Sequence, residues 1–376
     1  MKRETTAVIV IALALTTLGV LMIYSASAVS GDSTGLLKRQ LVMVGVGLVA
    51  MIIGVRFDYR RLSDPPIFRL IVVAAGALLL MVLVPGIGVK VDGARRWIQI
   101  AGFRFQPSEY AKFAMIVLLA VKLTENHEHV QKFWRGFLPP MVIATAFSLL
   151  VLLERDLGVP AMLMGVAVLM LFVAGVRWRY ILVGFVGICG AVGALIYAAP
   201  HRFERLVAFL HPWEYREGAG WQLIQSMSGF AQGALLGRGV GASEQKLGYL
   251  PAAHTDFIFS VIGEEMGLVG TLTVVGLFVL LAWYAFRIAS HAPDLFGVLL
   301  ATGISGLIIM QGVFVMAVTT GLLPTKGLPL PFISYGGTSL IVFLGLVGVL
   351  VNIGVQAHEP ETLRKLTPAA PGGARA

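Results

Sequence analysis

Ten apolar runs, each of 17 residues or more, follow one another along this chain. That pattern constrains it more than any motif does. A run of about 18–25 apolar residues is the length of helix that crosses the hydrocarbon layer of a bilayer. Inside that layer every backbone N–H and C=O must be bonded within the protein, so only helices and closed barrels can span it. A barrel would read as short alternating segments, and these runs are continuous. The chain is therefore predicted to be an all-α polytopic membrane protein. Its ten spans are placed near 7–29, 40–56, 67–85, 107–123, 137–153, 159–176, 180–198, 256–286, 296–320 and 336–356. Hydrophobic residues make up 57% of the sequence and charged residues only 13%, which excludes an ordinary soluble domain.

The N-terminus reads Lys2-Arg3, an apolar run from Ala7 to Tyr24, then Ala26-Ser27-Ala28, much like a signal peptide with its cleavage site. The run is long for a signal core and further spans follow it, so it is expected to stay as the first helix. One transmembrane domain is expected over residues 1–356, with a large outer loop at about 199–255. Residues 357–376, rich in Pro, Ala and Gly, are expected to form a disordered cytoplasmic tail. No internal repeat of the kind that builds inverted-repeat transporters is visible.

Basic residues at span ends set the orientation. Arg56, Arg60, Arg61 and Arg69 follow span two, Lys122, Lys132 and Arg135 follow span four, and Arg177 and Arg179 follow span six. With Lys2 and Arg3 they share one side, which places both termini in the cytoplasm. The formal net charge of +9 is accounted for by this topology and by an anionic lipid ligand, so nucleic acid is not an expected partner. The exceptions carry more information. Lys90, Arg95, Arg96 and Arg104 lie on the opposite side in the short stretch 86–106, where cations would suit either lipid headgroups or an anionic ligand. Within the long outer loop, Gly220–Gly233 has the apolar spacing of a helix lying on the membrane surface.

Four outer stretches carry candidate chemistry. In Leu250–Gly270 (LPAAHTDFIFSVIGEEMGLVG), helical spacing puts Asp256, Ser260, Gly263 and Gly267 in one narrow stripe, with His254 and Thr255 at its mouth. A carboxylate at the edge of a membrane helix is a candidate functional group. It is also a good N-cap, and the two roles are compatible. Around span four, Arg95, Arg96 and Trp97 precede FQPSEYAK, where Ser108, Glu109 and Lys112 share a helix face. Lys112 and Glu109 could be a structural pair or the cationic floor of an anion pocket roofed by arginine, whose fork suits phosphate oxygens. Glu154-Arg155-Asp156 fills a very short turn between spans five and six, where plain solvated turn chemistry is an alternative. In Gly321–Gly337 three prolines and four glycines forbid continuous helix, so this apolar stretch with Lys326 and Ser334 is read as a re-entrant segment. No Cys/His metal cluster, nucleotide-binding glycine loop or Ser/His/Asp arrangement appears, and the single Cys189 supports neither a zinc nor a redox site.

The stretches YSAS (Tyr24–Ser27), GARRWI, FQPSEYAK, WQLIQS, QKLGYLPAAHTDFIFSVIGEE and GLLPTKGLPLPFISYGG resemble the SEDS family (shape, elongation, division and sporulation) over Ala7 to about Val355. QKLGYLP and LPTKG sit closer to its division branch than to its elongation branch. The resemblance implies ten transmembrane helices with both termini inside. It also implies a peptidoglycan glycosyltransferase of the bacterial inner membrane that polymerises lipid II, with the likeness to the division branch implying action at the division septum. Its expected partners are a class B penicillin-binding protein (the septal transpeptidase) and other division-machinery membrane proteins. The essential family aspartate falls on Asp256, the cationic pair on Arg95 and Arg96, and the membrane lysine on Lys112. Where the family usually reads PDLG or PDFG, this chain has Arg155-Asp156-Leu157-Gly158, with Arg in place of Pro.

On this reading Asp256 is the general base. Substrate contacts are expected from Arg95, Arg96, Trp97, Glu109, Lys112, Asp156, His254, Thr255, Ser260, Lys326 and Ser334. No cofactor is required by the residues, although a divalent cation (Mg or Mn) would suit a pyrophosphate; no metal-ligand set is evident. Two other classes fit the same sequence. A lipid II flippase would use Glu109, Lys112, Glu264 and Glu265 to line a path across the bilayer, the last two about 12 Å below Asp256 on a helix. A non-catalytic division scaffold would tolerate loss of all the outer charges.

Overall fold

The computed structural model describes residues 2–27, 35–91, 93–100 and 102–358. The signal-like boundary at Ala28 and the tail from residue 359 lie outside them. Twelve α-helices are described: α1 (Lys2–Ser27), α2 (Gly35–Arg56), α3 (Pro65–Met81), α4 (Pro107–Glu125), α5 (Leu138–Leu153), α6 (Gly158–Val173), α7 (Trp178–Tyr197), α8 (Pro200–Leu210), α9 (Trp221–Gly233), α10 (Ile258–Ser290), α11 (Leu295–Thr319) and α12 (Gly337–Gln356). Seven are long and apolar enough to cross a membrane: α1, α2, α5 with its leading turn, α7, α10, α11 and α12. Two more, α3 and α6, are apolar but only 17 and 16 residues long. The remaining apolar run became α4, which carries Glu109, Lys112, Lys122 and Glu125. The protein is an all-α polytopic membrane protein.

The helix starts follow local chemistry. Prolines occupy the first turn of α3, α4, α5 and α8, where a missing N–H costs nothing. Asp294 caps α11 by accepting the Gly297 N–H at 2.7 Å. At the centre, α11 packs on α4, α6 and α10 and is buried along most of its length. In contrast, α7 has no buried residue and touches chiefly α6 and α8.

Two features depart from the sequence reading. First, 86–106 is not plain loop. It forms a three-stranded antiparallel sheet, β1 (Gly88–Val91), β2 (Ala94–Ile100) and β3 (Phe103–Phe105), in the order β1-β2-β3. Thr338 at the start of α12 pins it, accepting the Gln106 N–H and donating to the Arg104 carbonyl, both at 3.1 Å.

Second, α9 does form where a surface helix was expected, but Leu223, Ile224, Ser226 and Gly229 are buried and the helix packs along α10. The chain leaving α9 then joins α10 at a kink. Gly267 has φ +64°, a conformation open to glycine, and interrupts the helix there. Across that break Leu268 N–H donates to Ala234 O (2.9 Å), Arg238 N–H to Glu264 O (3.0 Å) and Gly239 N–H to Glu265 O (3.0 Å). At 1.5 Å per residue the 33 residues of α10 span about 50 Å, well beyond the hydrocarbon thickness. The kink divides it into a short outer helix before Gly267 and a span of membrane length after it.

Candidate active site

The turn before α10 presents the central acid. The Thr255 and Asp256 N–H groups both donate to the Ala252 carbonyl, at 3.0 and 3.1 Å, which winds His254–Asp256 tightly into the helix start. The irregular segment 321–336 closes over this turn. Ser334 donates its hydroxyl to the Thr255 carbonyl at 2.6 Å and accepts the Leu330 N–H at 2.8 Å. The Tyr335 N–H donates to the His254 carbonyl at 3.0 Å, and the two rings lie 5.8 Å apart edge to face. A Cβ at position 327 would come within 2.7 Å of Asp256 Oδ2, so glycine at 327 is what lets the segment pass against the carboxylate.

The second acid comes from the α5–α6 turn. Asp156 Oδ1 accepts the Gly158 N–H at 2.8 Å, capping α6, and lies 3.5 Å from Lys326 Nζ. Its Oδ2 lies 3.5 Å from Arg96 Nη1. Arg96 also donates to the carbonyls of Glu154 (3.2 Å) and Arg155 (2.8 Å). One guanidinium thus bolts the sheet to the turn. Asp256, Asp156, Arg96 and Lys326 form one electrostatic group, each felt by Asp256. Burial, and then the Asp156 charge, push the Asp256 carboxyl up to about 6, against the pull of Arg96, the Thr255 hydrogen bond and Lys326.

Strain gathers here too. Arg155 (φ +60°), Ala252 (φ +57°) and Phe332 (φ +68°) are three of the four non-glycine residues with positive φ among the described residues. Each sits close in sequence to Asp156, Asp256 or Ser334. Such a conformation costs roughly 1–2 kcal/mol at a non-glycine residue, and strain of this kind concentrates at functional sites. A proline ring would hold φ near −65°, so Arg155 makes a turn that proline at this position could not make.

Several expected contacts fall elsewhere. Side chains alternate along a strand, so Arg95 and Trp97 leave the face that carries Arg96, and Arg95 Nη1 reaches back to the Leu83 carbonyl at 3.4 Å. Glu109 and Lys112 sit together inside the bundle. Lys112 is fully buried, with Nζ 2.8 Å from both Glu109 Oε1 and Gln311 Oε1 and 5.2 Å from the Phe343 ring centre. Gln311 in turn donates to the Pro329 carbonyl at 2.8 Å. This chain of bonds props the segment that carries Lys326 instead of flooring a pocket. Ser260 is buried and donates to the Ser226 carbonyl at 2.7 Å, so the small stripe of α10 is filled by α9. Ser334 is a backbone staple, as above.

Glu264 and Glu265 do not line a path either. Glu264 accepts from Ser243 Oγ, from Glu244 N–H (2.8 Å) and from Gln245 N–H (3.3 Å). Glu265 accepts from Ser25 Oγ (2.6 Å) and pairs with Lys246 Nζ (2.9 Å). With Lys112 bonded to Glu109 and Gln311, the four residues a flippase path would use are engaged within the protein.

One residue was passed over. Glu154 is fully buried with both carboxyl oxygens unbonded, and burial and Asp156 push its carboxyl up to about 8 despite Arg96. Its sequence signal was only a third charge in a short turn. Among the described residues no group of three or more Asp, Glu, His or Cys is placed to hold a metal ion, and the Asp156 oxygens are already engaged. The residues present do not fit a protein-held cation, and no step is routed through one.

An acid at the mouth of α10, framed by two cations on a polytopic helical scaffold, defines the protein as a membrane protein with a charged cluster at one end of its bundle. The family described as "Cell cycle protein", covering FtsW, RodA and SpoVE, matches residues 5–359, and the chain belongs to that family. A protein of Trichlorobacter lovleyi named probable peptidoglycan glycosyltransferase FtsW is 45% identical, over 90% of each chain. The stage V sporulation protein E of Bacillus subtilis is 42% identical, over 92% of this chain and 95% of that one. Among solved structures, a chain from a study titled "Structural coordination of polymerization and crosslinking by a peptidoglycan synthase complex" superposes with TM-score 0.79 at 29% identity, covering 94% of this chain and 98% of that one. Thermus thermophilus RodA superposes with TM-score 0.69 at 28% identity, covering 94% and 97%.

Proposed function

We propose that this protein is a peptidoglycan glycosyltransferase that polymerises lipid II, with Asp256 as general base. The reaction joins the 4-hydroxyl of one GlcNAc to C1 of the MurNAc of another unit, and undecaprenyl pyrophosphate leaves. A sugar hydroxyl is a weak nucleophile, and a positioned carboxylate that takes its proton contributes roughly 10²–10⁴-fold. Asp256 takes that proton as the new C–O bond forms. Arg96 and Lys326 face the oxygen on the phosphate that gains charge as the C1–O bond breaks. Asp156 holds both cations at 3.5 Å and keeps them aimed at one place. With Asp156 engaged by both cations and Glu154 fully buried, Asp256 acts alone, the displacement is single, and an α-linked donor gives a β-linkage.

The observation that carries this reading is the placement of Asp256 at the mouth of α10, in the field of Arg96 and Lys326, with glycine at 327 making room against it. On this reading the chain crosses the membrane ten times with both ends in the cytoplasm, and this group lies at the outer leaflet. Residues 1–356 form the single catalytic domain. The protein works in the inner membrane at the septum, beside a class B penicillin-binding protein. The test is glycan-strand formation from lipid II by the purified protein with that transpeptidase, its active serine blocked. Asp256→Asn is expected to abolish strands; wild-type rates in that variant overturn the assignment.

A further inference from the structure

The opposite end of α5 from Asp156 carries a second concentration of charge that the polymerase reaction does not use. The turn before α5 and the start of α7 flank an open, shallow hollow of about 570 Å³ lined by Gln131, Lys132, Phe133, Trp134, Arg135, Arg177 and Tyr180, with no acid on its wall. Some cations elsewhere on this face meet acids, Arg60 pairing with Asp294, Lys122 with Glu125 and Arg287 with Glu4, while Arg56, Arg61 and Arg69 stand apart from one another without an ion pair among the described residues. Among the described residues, Lys132, Arg135 and Arg177 make no ion pair. Three like charges held around one hollow repel one another unless an anion joins them.

The walls are built, not loose. Phe133 lies 5.3 Å from the Tyr180 ring and 5.4 Å from Trp134, and Phe137 lies 5.9 Å from Tyr180. The backbone from Phe133 to Phe137 makes a single wide π-turn, a form that recurs at functional sites. Trp134 and Trp178 are 75% and 69% exposed on either side. Exposed tryptophans at helix ends mark the membrane–water boundary, so the hollow opens at headgroup depth. Basic pockets between spanning helices at that depth suit phospholipid headgroups.

We propose that this cavity binds the phosphate headgroup of an anionic membrane phospholipid, held by Lys132 and Arg135 on one wall and Arg177 on the other. A bound headgroup clamps α7 to the base of α5. That matters because α7 has no buried residue, and at the base of α5 it is held by Tyr180 against Phe133 and Phe137 and by Gly184 beside Phe137 and Met141. The chain then continues into α8, whose Arg205 is felt by Lys326 in the candidate active site. Occupancy of the cavity therefore biases the position of the helix that leads to the outer loop.

The test is native mass spectrometry of the full-length protein in detergent, titrated with phosphatidylglycerol or cardiolipin against phosphatidylcholine. Replacing Lys132, Arg135 and Arg177 together by Gln is expected to weaken anionic-lipid retention on the order of a hundredfold, and Arg177→Gln alone roughly fivefold. The matched control replaces Arg56, Arg61 and Arg69 by Gln, which removes the same charge from the same face, and is expected to change retention little. Equal losses in the two triple variants would reduce the effect to general surface charge and overturn the site. Displacement of the lipid by excess inorganic phosphate would overturn the lipid assignment in favour of a free-anion site.

Discussion

Asp256 and the pair Glu264–Glu265 lie within ten residues of one another, at and just inside the outer end of α10, yet the protein uses them in opposite ways. Glu264 and Glu265 are buried and saturated. A hydroxyl, two backbone N–H groups, a second hydroxyl and an ammonium answer their oxygens, from two separate stretches of chain, 243–246 and the end of α1. Asp256 is half-buried, held in a wound turn, and shares its cations with a second acid instead of owning them. A saturated carboxylate is a fastener, and here it binds the outer loop to the kink at Gly267. A carboxylate kept short of partners, with its affinity for a proton raised toward neutrality, can exchange that proton with a substrate.

Substitution separates these roles most sharply. Asp256→Asn is expected to lower lipid II polymerisation by roughly 10²–10⁴-fold while the thermal midpoint holds. Glu265→Ala is expected to do the reverse. It strands the Lys246 ammonium, whose side chain is only 2% exposed, and an uncompensated buried charge costs about 3–5 kcal/mol. The midpoint drops, and the turnover of the molecules that remain folded is kept. If Glu265→Ala abolished turnover at an unchanged midpoint, the fastener reading would fail.

A smaller effect tests how the cations and Asp156 tune the base. The rate needs ionised Asp256, so it is expected to rise with pH through about 6 and then level. Lys326→Gln removes a charge that lowers the Asp256 value, and this limb is expected to move to higher pH. Asp156→Asn removes a charge that raises it, and the limb is expected to move to lower pH. Opposite signs in the pH–rate profiles of the two variants are the diagnostic; shifts of the same sign would mean the group is not electrostatically coupled as the geometry implies.

The contrast also shows what a reader of the bare chain could see. Span edges were legible because burial in lipid demands length and apolarity: 137–153 against Leu138–Leu153, 336–356 against Gly337–Gln356. Asp256, Asp156, Arg96 and Lys326 were legible as polar residues placed at apolar borders. Choosing Arg96 over Arg95 was not, because it depends on strand alternation in a stretch read as loop. Asp92-Gly93 between Val91 and Ala94, with alternating flanks, was a hairpin signal there. Whether Lys112, Ser260 and Glu264 face a cavity or a neighbour depends on which remote segment packs on them: Gln311, Ser226 and Ser243 lie 199, 34 and 21 residues away. Local periodicity carries no information at that range.

Glu154 is the third way this protein places an acid, neither fastened nor poised, and it gives the smallest and most selective effect. Its carboxyl is buried without a hydrogen bond, facing the Asp156 and Arg96 charges, and it titrates near 8 instead of near 4.5. Between those values the folded protein keeps a proton that the unfolded chain has released, so this carboxyl costs stability as pH rises through that window, and the loss is complete above it. Glu154→Gln keeps the shape and removes the titration. The variant is expected to match the wild type at about pH 5 and to gain a few degrees in thermal midpoint by about pH 9. A gap that stays constant or narrows as pH rises would mean that Glu154 is ionised and paired with Arg96, which would make it a fastener like Glu265.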